Sequence, residues 1–144
     1  MAFKGQIHAS CVVRGEAAVL LLGPAGSGKS DLVLRLLDLG FSLVADDRVD
    51  IADGMARPPA ELAGLLEVRG LGIIRLNHVA PARLALAVSL DGAGERLPEP
   101  ARHPTLGLPL ITLDAGAVSA AQKVALALSC ALGERTQIAG AFAS

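Results

Sequence analysis

Three features of the sequence predict an α/β fold. An apolar run, Ala17 to Leu22, breaks into Gly23-Pro24-Ala25-Gly26-Ser27-Gly28-Lys29-Ser30, and a helical pattern follows at once. A β-like run from Gln6 to Arg14 is joined to it by the short turn Arg14-Gly15-Glu16, so the two predicted strands pair as an antiparallel hairpin. Further along, a cleanly alternating stretch (Pro81 to Asp91) and a helical one (Ser119 to Leu132) complete the mixture. With 144 residues the chain is long enough for one packed core, and residues 1–144 read as a single domain.

The unit from Ala17 to Ser30 organises the rest. It has the form G-x-x-x-x-G-K-S between a strand and a helix, the context in which a P-loop works. Gly23, Gly26 and Gly28 lack Cβ atoms, so the backbone can curl and turn its N–H groups towards a phosphate. The helix that follows adds unpaired N–H groups and a positive dipole end. Lys29 brings a charge to the terminal phosphates, and the Ser30 hydroxyl is a ligand for Mg²⁺. The reading is a site for a nucleoside triphosphate, or at least a polyphosphate.

Composition removes other classes. Apolar residues make up 52% of the chain, but its aromatic residues are three Phe, so the core must be Ala, Leu, Val and Ile. A net charge of −1 and no dense basic cluster argue against electrostatic binding to nucleic acid. Cys11 and Cys130 lie far apart without C-x-x-C spacing and read as reduced, buried thiols. His8, His78 and His103 show no metal-ligand spacing. The N-terminus lacks the apolar centre of a signal peptide, and no run approaches the ~20 residues of a membrane span. The expectation is a soluble, cytoplasmic protein.

Taken in order, the elements are these. Gln6 to Arg14 is a strand carrying His8. Gly28 to Leu39 is a helix with Leu32, Val33, Leu36, Leu37 and Leu39 on its apolar face and an Asp31–Arg35 pair on the wet one, stopped by Gly40. Phe41 to Asp47 is a strand ending in two acids, as a Walker-B-type metal site looks, and alternation sends Asp46 and Asp47 to opposite faces. Val49 to Ile51 continues to the hairpin turn Asp53-Gly54. Met55 to Leu66 reads as a loop with one or two helical turns. Leu66 to Ile74 is a β-rich run whose glycines suggest a bulge or a close backbone approach, with Glu67 and Arg69 on one face.

Pro81 to Asp91 is a half-buried strand, with Leu84, Leu86, Val88 and Leu90 on one side. Gly92 to Pro104 is a wet, irregular loop suited to a lid or a docking surface. Thr105 to Leu113 is a strand that Pro109 places at an edge or bulge. Ser119 to Leu132 is the closing helix, with Ser119 and Gln122 as a capping box and Gly133 as its stop. Its wide Ala/Leu/Val face suggests deep packing or contact with another subunit, and the tail beyond Gly133 reads as loose.

Three separated motifs then coincide. His8 precedes G-P-A-G-S-G-K-S by one hairpin, L-V-A-D-D-R-V follows the loop, and L-L-E-V-R-G-L-G-I-I lies downstream. In this order they resemble the catalytic domain of the bacterial HPr kinase/phosphorylase family, from about Ile7 to Asp114. The resemblance implies a single P-loop nucleotide-binding domain with a mixed, largely antiparallel sheet, similar to the phosphoenolpyruvate carboxykinase-like fold. It also implies an ATP- and Mg²⁺-dependent kinase that phosphorylates a serine on HPr, the small phosphocarrier protein of the phosphotransferase system. Family members can reverse that step by phosphorolysis, and they form closed homo-oligomers, with a hexamer as the form to consider here.

Carried over by position, the resemblance implies that Gly23, Pro24, Ala25, Gly26, Ser27, Gly28, Lys29 and Ser30 cradle the triphosphate. Ser30 and Glu67 would hold Mg²⁺, Asp47 would take the proton of the incoming serine hydroxyl, and His8 would sit beside Asp47. Arg69 would brace the Glu67 region, and Arg96 resembles an arginine that helps phosphoryl transfer, although Pro98 stands nearby where the family has Gly. The family's separate N-terminal domain has no counterpart in these residues. Its basic Gly-Arg-Asn loop is replaced by Leu113-Asp114-Ala115-Gly116-Ala117-Val118, without Arg, Lys or Asn. Phosphorylase activity is therefore in doubt. The competing reading is a nucleotide-dependent regulatory or binding module of the same fold, against which the intact Lys29, Asp47 and Glu67 speak.

Overall fold

The computed structural model of the chain describes residues 3–143. It runs β1 (Gly5–Ile7), β2 (Ser10–Arg14), β3 (Ala17–Leu22), α1 (Lys29–Leu37), β4 (Ser42–Ala45), β5 (Val49–Ala52) and β6 (Met55–Arg57). A 3-10 turn at Ala60–Leu62 leads to β7 (Leu65–Val68), β8 (Gly72–Arg75), β9 (Ala82–Ser89), β10 (Leu110–Thr112) and α2 (Ala120–Ala131).

The continuous apolar run of β3 is buried on both faces, so it becomes a central strand. The main sheet has the order β1-β5-β6-β9-β3-β2-β4, with β10 alongside β9. β3–β9 and β9–β10 are parallel, and every other pairing in it is antiparallel. The fold is thus α/β with a mixed, mostly antiparallel sheet and two helices. Both helices cover one face: Leu32, Val33 and Leu36 of α1 and Val124 and Leu128 of α2 pack with Val12, Val19, Leu21, Leu86 and Val88. Cys11, Val13, Ala18, Leu20, Val44 and Ile51 form a second cluster on the other face. Cys11 and Cys130 are free thiols, and burial pushes that of Cys11 up from its ordinary value.

Several expectations need correction. The first strand is two: the chain leaves β1 at Ile7 and restarts as β2 at Ser10, changing partner from β5 to β3 and β4. Met55 to Arg57 is a strand, formed because Asp53 and Gly54 both adopt positive φ (54° and 74°) and fold it back on β5. Leu66 to Ile74 is neither one strand nor a bulge. It folds into the β7–β8 hairpin, a separate two-stranded sheet closed by Leu71 N–H donating to Val68 O (2.9 Å).

β9 does not alternate cleanly, because Ala18 opposes Leu84 while Val19 opposes Leu86, leaving Ala85 as an extra residue. Leu84 consequently packs in the second cluster, whereas Leu86 and Val88 pack under the helices. The strand expected from Thr105 begins only at Leu110, because Thr105 and Leu106 N–H instead donate to His103 Nδ1 (3.2 and 3.0 Å). Ser119 precedes α2 but makes no side-chain capping bond. The tail is tied down: Arg14 Nη2 lies 3.0 Å from Glu134 Oε1, and Ala141 and Phe142 pack against the core. Among the described residues no helix is long and apolar enough to cross a membrane.

Candidate functional site

β3 ends at Leu22 and the chain loops through residues 23–28 before α1 begins at Lys29. Gly28 sits at the helix N-cap in a left-handed conformation (φ 95°) without a side-chain cap, so the first-turn N–H groups keep no intrahelical partner. A Cβ on Gly23 would lie 2.6 Å from Ser27 Oγ, and one on Gly28 would lie 3.1 Å from Ala115 Cβ. Ser27 Oγ is itself buried without a hydrogen-bond partner. Lys29 folds under the loop, where its Nζ donates to the carbonyls of Gly23 (2.6 Å) and Pro24 (3.0 Å). Burial pulls the Lys29 pKa down, against the opposing pull of Asp46 and Asp47.

The two acids divide their roles through the backbone. Arg48 N–H donates to Asp46 O (2.9 Å) across Asp47, which takes φ 72° in a tight three-residue turn. Such a conformation is costly for most residues and tolerable for Asp. The turn, rather than simple strand alternation, separates the side chains. Asp46 is buried and accepts from Ser10 Oγ (2.7 Å) and Ser30 Oγ (2.9 Å). Asp47 is exposed and faces His8, with Nε2 3.5 Å from Oδ1.

β7 of the β7–β8 hairpin packs on α1, with Leu66 in the core beside Leu32, Val33 and Leu36, and closes the other side. Between it, the loop and the Asp47 turn lies a cleft of about 490 Å³. His8, Ala25, Gly26, Gly28, Lys29, Ser30, Asp47, Glu67 and Arg69 all line it. Gly23, Pro24 and Ser27 belong to the loop but do not line the cleft. Arg96 is exposed in the 92–104 segment and does not line the cleft. One residue escaped the sequence reading, Ser10, which lines the cleft; Asp46, read there as one of two acids at a strand end, is the acceptor for Ser30. No sequence pattern marks Ser10, because the chain bends between Ile7 and Ser10 and strand alternation does not carry across that break.

Among the described residues no three His, Cys, Asp or Glu side chains converge as a metal cage. The cleft offers the oxygens of Ser30 and Glu67 instead, hard donors in the small number that suits Mg²⁺ shared with phosphate groups.

Comparison with known proteins shows the family and the fold. The family described as HPr Serine kinase C-terminal domain matches residues 1–82. The HPr kinase/phosphorylase of Leptothrix cholodnii is 40% identical over 121 residues, covering 68% of this chain and 37% of that protein. That of Xylella fastidiosa strain M12 is 41% identical over 86 residues, covering 55% of this chain and 27% of the relative. This chain thus spans about a third of the length of these curated relatives. The solved structure of the HPr(Ser) kinase/phosphatase from Coxiella burnetii superposes with a TM-score of 0.66 over 85% of this chain and 87% of that one. At 23% identity this likeness shows a shared fold.

Proposed function

The chain belongs to the HPr serine kinase C-terminal domain family, and from that premise we propose that it is an ATP- and Mg²⁺-dependent protein-serine kinase acting on an HPr-type phosphocarrier protein. One observation carries the reading: Lys29 and Ser30, Glu67, His8 and Asp47 come from four separate segments and line one cleft. On this reading the Gly23–Ser30 loop is a P-loop, and the mixed sheet with its antiparallel β2–β3 hairpin is of the phosphoenolpyruvate carboxykinase-like kind.

The fit of a polyphosphate rests on the loop itself. Its curl requires Gly23 and Gly28, leaves the Ser27 hydroxyl without a partner and presents the unpaired N–H groups of the helix start. Those N–H groups and the Lys29 ammonium hold the triphosphate of ATP. Mg²⁺, held by Ser30 and Glu67, would supply neutralisation of phosphate charge. Asp47 takes the proton of the acceptor serine hydroxyl as its oxygen bonds to the γ-phosphorus and the bond to ADP breaks. Phosphoryl transfer is mostly positioning and charge stabilisation, so this short list of groups suffices. An exposed carboxylate beside an imidazole suits a protein hydroxyl, which must be deprotonated, and the 3.5 Å separation lets His8 orient Asp47. Arg69 braces the Glu67 side of the cleft. Arg96 lies outside it, so any part it plays requires the 92–104 segment to move.

The test is incubation with Mg-ATP and a panel of HPr-type proteins, followed by mapping of phosphoserine by mass spectrometry. No phosphoserine on any of them would overturn the reading.

A further inference from the structure

Three polar side chains are buried among the described residues: Lys29, Asp46 and Ser10. Lys29 belongs to the mechanism above, and Asp46 is the acceptor of the Ser30 hydroxyl. Ser10, with 0% exposure, has no part in the reaction as described, yet it sits at the same place. Its Oγ donates to Asp46 Oδ1 at 2.7 Å, the shortest contact that this carboxylate makes. Ser30 Oγ reaches the same carboxylate at 2.9 Å from Oδ1 and 3.0 Å from Oδ2.

The arrangement constrains protons. A serine hydroxyl has one proton and two acceptor lone pairs. The Ser10 proton is committed to Oδ1, in a setting without solvent to replace it. A carboxylate's terminal torsion is otherwise broad, so this bond fixes the plane of the Asp46 group. With that plane fixed, the Ser30 proton points at Asp46 and the Ser30 lone pairs point away from it, towards the cleft. A hydroxyl that ligates a cation needs this orientation.

We propose that Ser10 is a positioning residue for the cation site, acting through Asp46 to aim the Ser30 hydroxyl. The inference rests on the kinase reading, in which Ser30 is a metal ligand. It explains why the chain breaks between β1 and β2. Restarting at Ser10, with Ala9 N–H donating to Asp47 O (3.2 Å), sets His8 against Asp47 and Ser10 against Asp46 as two successive rungs. Outer partners of metal ligands are typically worth about 10–100-fold in metal affinity.

The experiment uses the full chain, Mn²⁺ as the probe and a non-hydrolysable ATP analogue, with bound Mn²⁺ read by electron paramagnetic resonance. Ser10→Ala is expected to weaken Mn²⁺ binding by roughly tenfold. Its affinity for the analogue in EDTA should match wild type, because the loop and Lys29 are untouched. Ser10→Cys keeps nearly the same volume while donating weakly, and it carries the same expectation if the alanine variant fails to fold. A folded variant that binds Mn²⁺ like wild type would show that Ser10 only fills the core, and would overturn the proposal. Equal losses of Mn²⁺ and metal-free analogue binding would overturn it too, as a general disturbance of the loop. Wild type that binds no Mn²⁺ with the analogue would strike the kinase reading itself, and this inference with it.

Discussion

His8 Nε2 lies 3.5 Å from Asp47 Oδ1, and both side chains stay about half exposed, at 47% and 59%. The pair is held by backbone rather than by burial: Asp47 sits at φ 72° in its tight turn, and Ala9 N–H closes the gap to Asp47 O. An exposed carboxylate fixed by its main chain is accessible to a protein hydroxyl and stays where the chain puts it.

Asp47→Asn should therefore leave nucleotide affinity nearly intact and lower phosphoryl transfer by ~10²–10⁴-fold, the usual contribution of a general base. Asn is the appropriate replacement because it also tolerates positive φ, whereas Ala would add backbone strain. Transfer at the wild-type rate, measured with radiolabelled ATP, would remove the base from Asp47. Lys29→Ala should differ by losing nucleotide binding as well.

The second prediction concerns pH. Burial lowers the Lys29 pKa from its ordinary lysine value, so the free protein loses this proton earlier than exposed lysine does. A bound polyphosphate favours the charged form. Binding at alkaline pH should therefore take up a proton, and the Kd for ATP should rise as pH rises. Calorimetry in buffers of different ionisation enthalpy reads the proton directly. Proton release on binding would contradict the assignment of Lys29 to the phosphates.

Much of this was legible in the sequence, and the failures have a common cause. β2–β3 and α1 were readable because their patterns are local and strong. The β7–β8 hairpin was not, since Glu67 to Ile74 is β-rich throughout and its reversal rests on Gly70 and Gly72, at φ 85° and 128°. β6 escaped because three residues before Pro58 carry no period of their own. Motif order put the loop, His8, Asp47 and Glu67 forward together, and they do line one cleft. Ser10 with Asp46 could not be read this way, since a bond across 36 residues depends on which strands pair.

A third prediction tests a contact of that non-local kind. Arg35 donates to the carbonyls of Ala115 and, at 3.3 Å, Ala117, and it also pairs with Asp31 at 3.1 Å. Arg35→Ala would remove two charged hydrogen bonds, about 1.5–3 kcal/mol each for bonds of this kind, taking the charged donor from Ala115 O and leaving Ala117 O with Ala120 N–H at 3.1 Å. Asp31→Ala removes only an exposed i,i+4 partner and should cost under ~1 kcal/mol. Denaturant titrations of both variants make the comparison, and equal losses would show that the loop contacts contribute nothing.

The fourth concerns assembly. Most of the apolar face of α2 is used inside the chain, where Ala120, Ala121, Val124, Ala127 and Leu128 are buried. Leu126 and Leu132 remain 57% and 43% exposed. A closed homo-oligomer, with a hexamer as one form, then has a smaller apolar surface on this helix than its composition suggested. Light scattering at micromolar concentration should still return an oligomer, and Leu126→Glu should weaken it. A monomer in wild type would end the expectation.

The last prediction is directional: the forward, kinase reaction should exceed phosphorolysis. The forward step draws on the loop, the metal ligands and Asp47, which share the cleft. The reverse step attacks phosphoserine with inorganic phosphate, releasing serine and pyrophosphate, and must hold several negative charges together. Where the resemblance leads one to expect a basic loop, Leu113 to Val118 supplies no cation, and its carbonyls are turned onto Arg35 at the back of α1. Arg102, in the segment that precedes it, donates to Gly107 O at 2.9 Å and does not line the cleft. Missing donors to developing charge typically cost ~10²–10³ in rate each. Giving the protein phosphoserine-HPr with phosphate, and following pyrophosphate release, measures the reverse rate against the forward one. Equal rates would show that this chain neutralises the extra charge without that loop, and Arg69, the cation of the β7–β8 turn on the cleft wall, would then be the residue to replace.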